Sequence, residues 1–166
     1  MPCDMFLQID GIKGDSTDDA HGQWIEIESY SHKISQPVGG AISAQGVHTG
    51  GRADHQDFAF RKRLDSSSPI LSLHVCNGKH IPKIRFELCR AMGDKTVFMI
   101  YEFQDCIISS VAPSGSSRSD DPIPMEDVTL RYGQLKWEYT PTDITSGGKT
   151  GPAVSATWST MRNRAM

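Results

Sequence analysis

Six histidines and four cysteines are the side chains of this sequence best suited to chemistry. His48 and His55 stand seven positions apart around the end of a Gly-rich run; His74 and Cys76 are two apart, and His80 follows. A cupin-like metal site needs imidazoles on adjacent strands with a carboxylate nearby, and His55 with Asp57 could begin such a set. The spacing fits no established ligand motif, and a long Gly-rich loop is a poor rigid mount. Surface or hydrogen-bonded histidines are the simpler account, so no metal and no cofactor are expected.

Nucleophilic chemistry has no better support. Neither G-x-S-x-G nor a Cys–His pair with a recognisable local signature occurs. Ser109 and Ser110 end an apolar strand, where hydroxyls mostly bond backbone. GGKTG at 147–151 has the Gly-Lys-Thr of a phosphate loop, but position 142 is Thr142 where that loop needs glycine. PAVSATWST then reads as strand where a helix should follow. The triplet Arg61-Lys62-Arg63 is too short for a nucleic-acid patch and reads as a solvated strand end. No catalytic residue is nominated, and the chain is expected not to be an enzyme.

The elements that could position such residues are strands. Residues 4–9, 23–34, 57–64, 83–90, 95–111, 126–139 and 153–160 carry β-branched and aromatic residues in alternation. In 57–64, Phe58, Phe60 and Leu64 share a face. In 83–90, Ile84, Phe86 and Leu88 point inward, with Lys83, Arg85 and Glu87 outward. The stretch 95–111 is too long for one straight strand, because at about 3.3 Å per residue it would exceed about 50 Å. It must bend or break near Gln104-Asp105. Both faces of that strand are partly apolar, which places it in a core on both sides or at a subunit interface.

In 126–139, Val128, Leu130 and Tyr132 share one parity and Leu135, Trp137 and Tyr139 the other. A β-bulge at Gly133 would keep all six inward. Residues 66–78 alternate like a strand at Leu71, Leu73 and Val75. Yet Ser68-Pro69 reads as a helix start and Asn77-Gly78 as a helix stop. The class is mainly β, a barrel or sandwich of about seven strands with at most one short helix.

A chain of 166 residues is most simply one domain spanning 1–166, long enough for a sizeable core. Its 37% hydrophobic and 22% charged content is that of a globular protein, and a formal charge of −3 argues against nucleic acid as a partner. Charge is uneven: residues 1–28 hold seven acids and one lysine, whereas 52–95 hold nine bases and five acids. Two solvated faces account for this. So does an acidic surface that meets the basic surface of a neighbouring subunit, head to tail. The N-terminus is unlike a secretory signal, and no apolar run reaches the length of a membrane span. Cys3, Cys76, Cys89 and Cys106 are widely spaced among apolar neighbours, which fits free, buried thiols and a reducing cytoplasm.

GGAISAQGVHTGG, residues 39–51, is uncharged and has five glycines. With strands on both sides, it reads as a long hairpin insertion within an extended loop at about 35–52, rather than as a linker.

DMFLQIDGIKGDSTDDAHGQWIEIESYSHKISQP (4–37), HQDFAFRKRLDSSSPIL (55–71), CNGKH (76–80), ISSV (108–111) and Trp158 together resemble the Hcp family, the haemolysin-coregulated proteins of bacterial type VI secretion. The likeness covers about residues 3–160, in order; residues 39–51 match in composition and place only. It implies a compact β-barrel of two sheets with one flanking helix, resolving residues 66–78 as helix. It implies a non-enzymatic tube subunit whose copies form homohexameric rings that stack. Spike protein, contractile sheath and small effector proteins carried in the lumen are the implied partners. The protein would be cytoplasmic before assembly and then secreted without a signal peptide or membrane insertion. The resemblance assigns Gly39, Gly40, Gly46, Val47, His48, Gly50 and Gly51 to ring stacking. It assigns Ser31 to the lumen, although Ser31 shares parity with Ile25 and Ile27, so the strand must bend near Ser29. The residues alone also admit a monomeric β-sandwich binding module, for a carbohydrate for example, or a cupin-like metalloenzyme. A fused toxin domain is not expected.

Overall fold

The computed structural model describes residues 3–38, 50–91, 95–118 and 120–166. Twelve strands and one helix follow in order: β1 Cys3–Ile9, β2 Ile25–Glu26, β3 Ser29–Ser31, β4 Ile34–Ser35, β5 Asp54–His55, β6 Phe58–Arg63, α1 Ser68–Asn77, β7 Ile81–Arg90, β8 Thr96–Ser114, β9 Met125–Arg131, β10 Gln134–Tyr139, β11 Val154–Ser159 and β12 Arg164–Ala165. One run of paired strands is β12-β11-β10-β8-β7-β1-β2; a second joins β8 through β9 and β6 to β3. All the pairings are antiparallel. The class is the mainly β one expected, with two sheets and one short helix, but the barrel is not closed: β2 and β12 end the longer run.

The long strand β8 belongs to both sheets because it turns a corner where its length demanded one. Its first half pairs β7 and β10, its second half β9. Asp105 has φ +54° at the change-over. Gly133 meets it there, donating from its amide to the carbonyls of Gln104 at 2.9 Å and Asp105 at 3.1 Å. An added Cβ on Gly133 would lie 3.1 Å from Asp105 Cβ, tighter than ordinary packing. The segment 126–139 is therefore two strands around a corner rather than one bulged strand. Val128, Leu130, Tyr132 and Leu135 are buried as expected, but Trp137 is only half-buried and Tyr139 is exposed.

The core is aromatic at its centre. Phe58 packs on Phe103 and Phe86 with ring centroids 4.8 and 5.3 Å apart, and Tyr30 meets Phe86 at 4.9 Å. Residues 66–78 fold as α1, with Pro69 in the first turn and Gly78 closing the helix in the left-handed region at φ 62°. The cap is Ser67, not Ser68, and its side chain makes no capping bond. Ser68 instead joins the network around Lys62.

That network overturns one expectation. Parity from Phe58 and Phe60 carries Lys62 inward, and it is fully buried rather than solvated. Lys62 Nζ donates to Asp65 Oδ1 at 2.8 Å and to Ser68 Oγ at 3.0 Å, and it pairs with Glu126 Oε2 at 2.8 Å. Leu64, expected on the same face as Phe58 and Phe60, is exposed beyond the end of β6. Glu87, expected outward, is also buried, because the loop of residues 10–22 folds over that face of β7 and its His21 contacts Glu87. The four cysteines are free; Cys89 and Cys106 are buried as expected, but Cys76 is exposed on α1.

Candidate functional site

The single strand expected over 23–34 is three short ones, broken at Ile27-Glu28 and at His32-Lys33. The first break resolves the parity conflict at Ser31. Ile25 and Ile27 face the core; beyond the bend Tyr30 turns inward, and Ser31 is exposed, paired with Ala59.

The second break leads into the Gly-rich segment. β4 pairs β5, with Ile34 opposite His55 and Ser35 opposite Asp54. Val38 and Gly50 make a further antiparallel bridge. Gly51 donates its amide to Pro37 O at 3.0 Å, while Gln36 Nε2 donates to Gly51 O at 2.9 Å. The chain thus leaves at Val38 and returns at Gly50 to the same place, which is hairpin geometry and not that of a linker. Of the residues assigned to stacking, Gly50 and Gly51 lie in this base. Gly39, Gly40, Gly46, Val47 and His48 lie outside the described residues.

The base is fastened to the body by one buried hydroxyl. Tyr132 Oη, at the corner between β9 and β10, lies 2.8 Å from His55 Nδ1 and 2.8 Å from His32 Nε2. A phenol can donate to one imidazole and accept from the other. Burial lowers the His32 pKa, and the neighbouring His55 lowers it further; burial also lowers that of His55, opposed by Asp54. Burial raises the Tyr132 phenol, so it stays protonated. Beside this triad a cavity of about 290 Å³ is lined by Arg52, His55, Asp57, Arg131 and Trp158 among others. Asp57 accepts there from Arg131 Nε at 2.8 Å and from Ser109 Oγ at 2.7 Å. His55 and Asp57 thus do not form a metal set: His55 turns to Tyr132 and Asp57 to Arg131.

The uneven charge is partly consumed within the subunit. Arg63 Nε lies 3.0 Å from Glu28 Oε1, and Lys95 Nζ lies 3.0 Å from Asp4 Oδ2. The outer face of the larger sheet is a ladder of ion pairs, with Lys83 and Arg85 on Glu102 at 3.3 and 3.4 Å and Lys136 on Glu138 at 3.0 Å. Around Ile100, residues 96–102 of β8 are half-buried on both faces.

Residues 6–139 match the family model described as "Type VI secretion system effector, Hcp". The chain belongs to the Hcp family. It is 32% identical to Protein hcp1 of Pseudomonas aeruginosa over 98% of both chains. A solved structure of a type six secretion system protein superposes with a TM-score of 0.92 at 28% identity, covering 99% of this chain and 100% of that one. Hcp1 from Salmonella typhimurium superposes with a TM-score of 0.80 at 29% identity, covering 100% of both. Hcp proteins are secreted structural tube proteins of type VI secretion and not enzymes, as the resemblance implied. No helix among the described residues is long and apolar enough to cross a membrane.

Proposed function

We propose that residues 1–166 act as one ring-forming unit, six copies closing into a ring and rings stacking into a tube. The tube is loaded in the cytoplasm, driven out by a contractile sheath behind a spike protein, and carries small effector proteins in its lumen. Residues 39–51 contact the next ring, and Ser31 faces the lumen. The observation that carries this reading is the hairpin base, where Val38 pairs with Gly50 and Tyr132 fixes both flanks. A tube subunit needs one set of heterologous contacts that closes and a second that propagates along the axis. An uncharged, Gly-rich stretch that leaves and re-enters the body at one fixed base suits the second set, since glycine admits backbone conformations that other residues do not. The exposed hydroxyl of Ser31 supports a lumen role, since a small polar side chain lets cargo approach without a strong charge. Light scattering on the purified protein is expected to give about six times the 18.3 kDa subunit mass. A stable monomer overturns the reading.

A further inference from the structure

Beneath the loop of residues 10–22, three side chains converge without any part in the assembly described above. His21, Glu87 and Cys89 are all buried, and one ligand-capable atom of each lies within 4.8 Å of the others. Glu87 and Cys89 sit two apart on β7 and so share a face. The loop brings His21 onto that face, with Nε2 2.8 Å from Glu87 Oε2 and 3.9 Å from Cys89 Sγ.

We propose that His21, Glu87 and Cys89 form a buried site for a zinc-class divalent ion, bound through the His21 Nε2, a Glu87 carboxylate oxygen and the Cys89 sulfur.

The outer atoms of the set are already held, which turns the inner ones together. His21 Nδ1 donates to Asp18 Oδ2 at 2.7 Å, and Arg85 Nε donates to Glu87 Oε1 at 2.5 Å. The His21 ring is clamped flat on Phe6, with centroids 4.2 Å apart and planes 3° apart, and against the edge of Trp24 at 4.8 Å. A metal-ligating histidine characteristically donates its other nitrogen to a carboxylate, as His21 does to Asp18. Imidazole, thiolate and carboxylate together are a zinc ligand set. At ligand distances of about 2.0–2.3 Å the Nε2–Oε2 contact opens only a few tenths of an ångström.

Charge balance favours the exchange. Both ring nitrogens of His21 face carboxylate oxygens, which accept and do not donate when ionised. Binding removes the one proton shared between His21 Nε2 and Glu87 Oε2 and breaks the S–H bond of Cys89, forms metal–nitrogen, metal–oxygen and metal–sulfur bonds, and releases both protons to solvent. A dication in place of two protons leaves the buried charge as it was. On the Asp18 side of the set lies a cavity of about 540 Å³, lined by Asp4, Asp18, Glu26, Glu28 and Lys95 among others but by none of the three ligands.

Untagged full-length protein, stripped with chelator and reloaded with Zn²⁺ or Co²⁺, tests the site. Expected is one ion retained per chain after gel filtration and, for Co²⁺, a thiolate-to-metal charge-transfer band. Both are expected to vanish in Cys89→Ser and Glu87→Gln and to persist in the Cys3→Ser/Cys76→Ser double variant. Circular dichroism reports whether each variant folds. If the Cys89→Ser and Glu87→Gln chains do not fold, the charge-transfer band in the folded Cys3→Ser/Cys76→Ser protein decides alone, because only Cys89 and Cys106 remain and Cys106 is not part of the set. No retained ion, no band, or retention unchanged in folded Cys89→Ser overturns the proposal and leaves His21 as a hydrogen-bonded core histidine.

Discussion

Tyr132 Oη and His55 Nδ1 lie 2.8 Å apart across the base of the Gly-rich hairpin, with His32 on the other side of the same hydroxyl at 2.8 Å. Folding holds both imidazole pKa values below their ordinary value of about 6.5. A depressed histidine pKa means the unfolded chain binds more protons than the folded one in that window. The contribution is therefore fully present above pH of about 6.5 and is lost as pH falls towards the folded values. The surrounding charges are Asp54, which opposes the shift at His55, and the Asp57–Arg131 pair, which is internally compensated. His74, also depressed by burial, adds to the same slope. Thermal melts are expected to show falling stability from about pH 7 to pH 5, with a shallower slope in His32→Gln/His55→Gln. An unchanged slope in that variant would assign the effect elsewhere. Tyr132→Phe, which leaves two imidazoles without their shared partner, is expected to cost about 1–2 kcal/mol by urea unfolding at neutral pH.

Lys62 makes a second, sharper case. Its ammonium is fully buried against Asp65, Glu126 and Ser68. Lys62→Ala leaves two carboxylates without their cation and is expected to cost about 3–5 kcal/mol in denaturant unfolding. The triple variant Lys62→Met/Asp65→Asn/Glu126→Gln removes the charges together and is expected to recover much of that loss. If the triple variant is no more stable than Lys62→Ala, packing at this site outweighs its charge.

What the sequence displayed and what it hid divide along chain distance. The helix ends were legible because Pro69 and Gly78 act on their own backbone. The bend of β8 was legible because length alone forbids a straight strand, and Gly133 marked the matching corner. Lys62 was hidden inside a triplet that looks solvated, although the parity of Phe58 and Phe60 pointed it inward. The His21 cluster was hidden more deeply, since Glu87 and Cys89 lie 66 and 68 residues further along the chain. The hairpin base was concealed for another reason: β4 and β5 are two residues each, too short for alternation to register.

Gly14 carries a steric prediction. It is buried in the loop over β7 and donates its amide to Gln23 O at 2.8 Å. A Cβ there would sit 2.8 Å from Ile25 Cα and closer still to the Trp24 carbonyl, and backbone cannot step aside as a side-chain end can. Gly14→Ala is expected to lower stability by about 1–3 kcal/mol. Gly22→Ala, in the same loop, is the control: its nearest atom is 3.7 Å away, so a change within about 0.5 kcal/mol is expected. Equal losses in both would mean that conformational freedom, not the close approach to β2, governs this loop.

Deletion of residues 41–49 separates the two kinds of contact a tube requires. The Val38–Gly50 bridge, the β4–β5 ladder and the hold of Tyr132 on His32 and His55 all lie outside the deletion. The remaining residues can still close a short turn, because closing a smaller loop has a lower entropic cost. The subunit is therefore expected to fold with unchanged unfolding midpoint and to keep its ring mass in light scattering. End-to-end association is expected to weaken, seen as loss of filaments by electron microscopy at concentrations where the full chain forms them. Filaments of normal length would remove the axial role from the Gly-rich segment. A monomeric but folded variant would place the segment in ring closure instead, within the first set of contacts rather than the second.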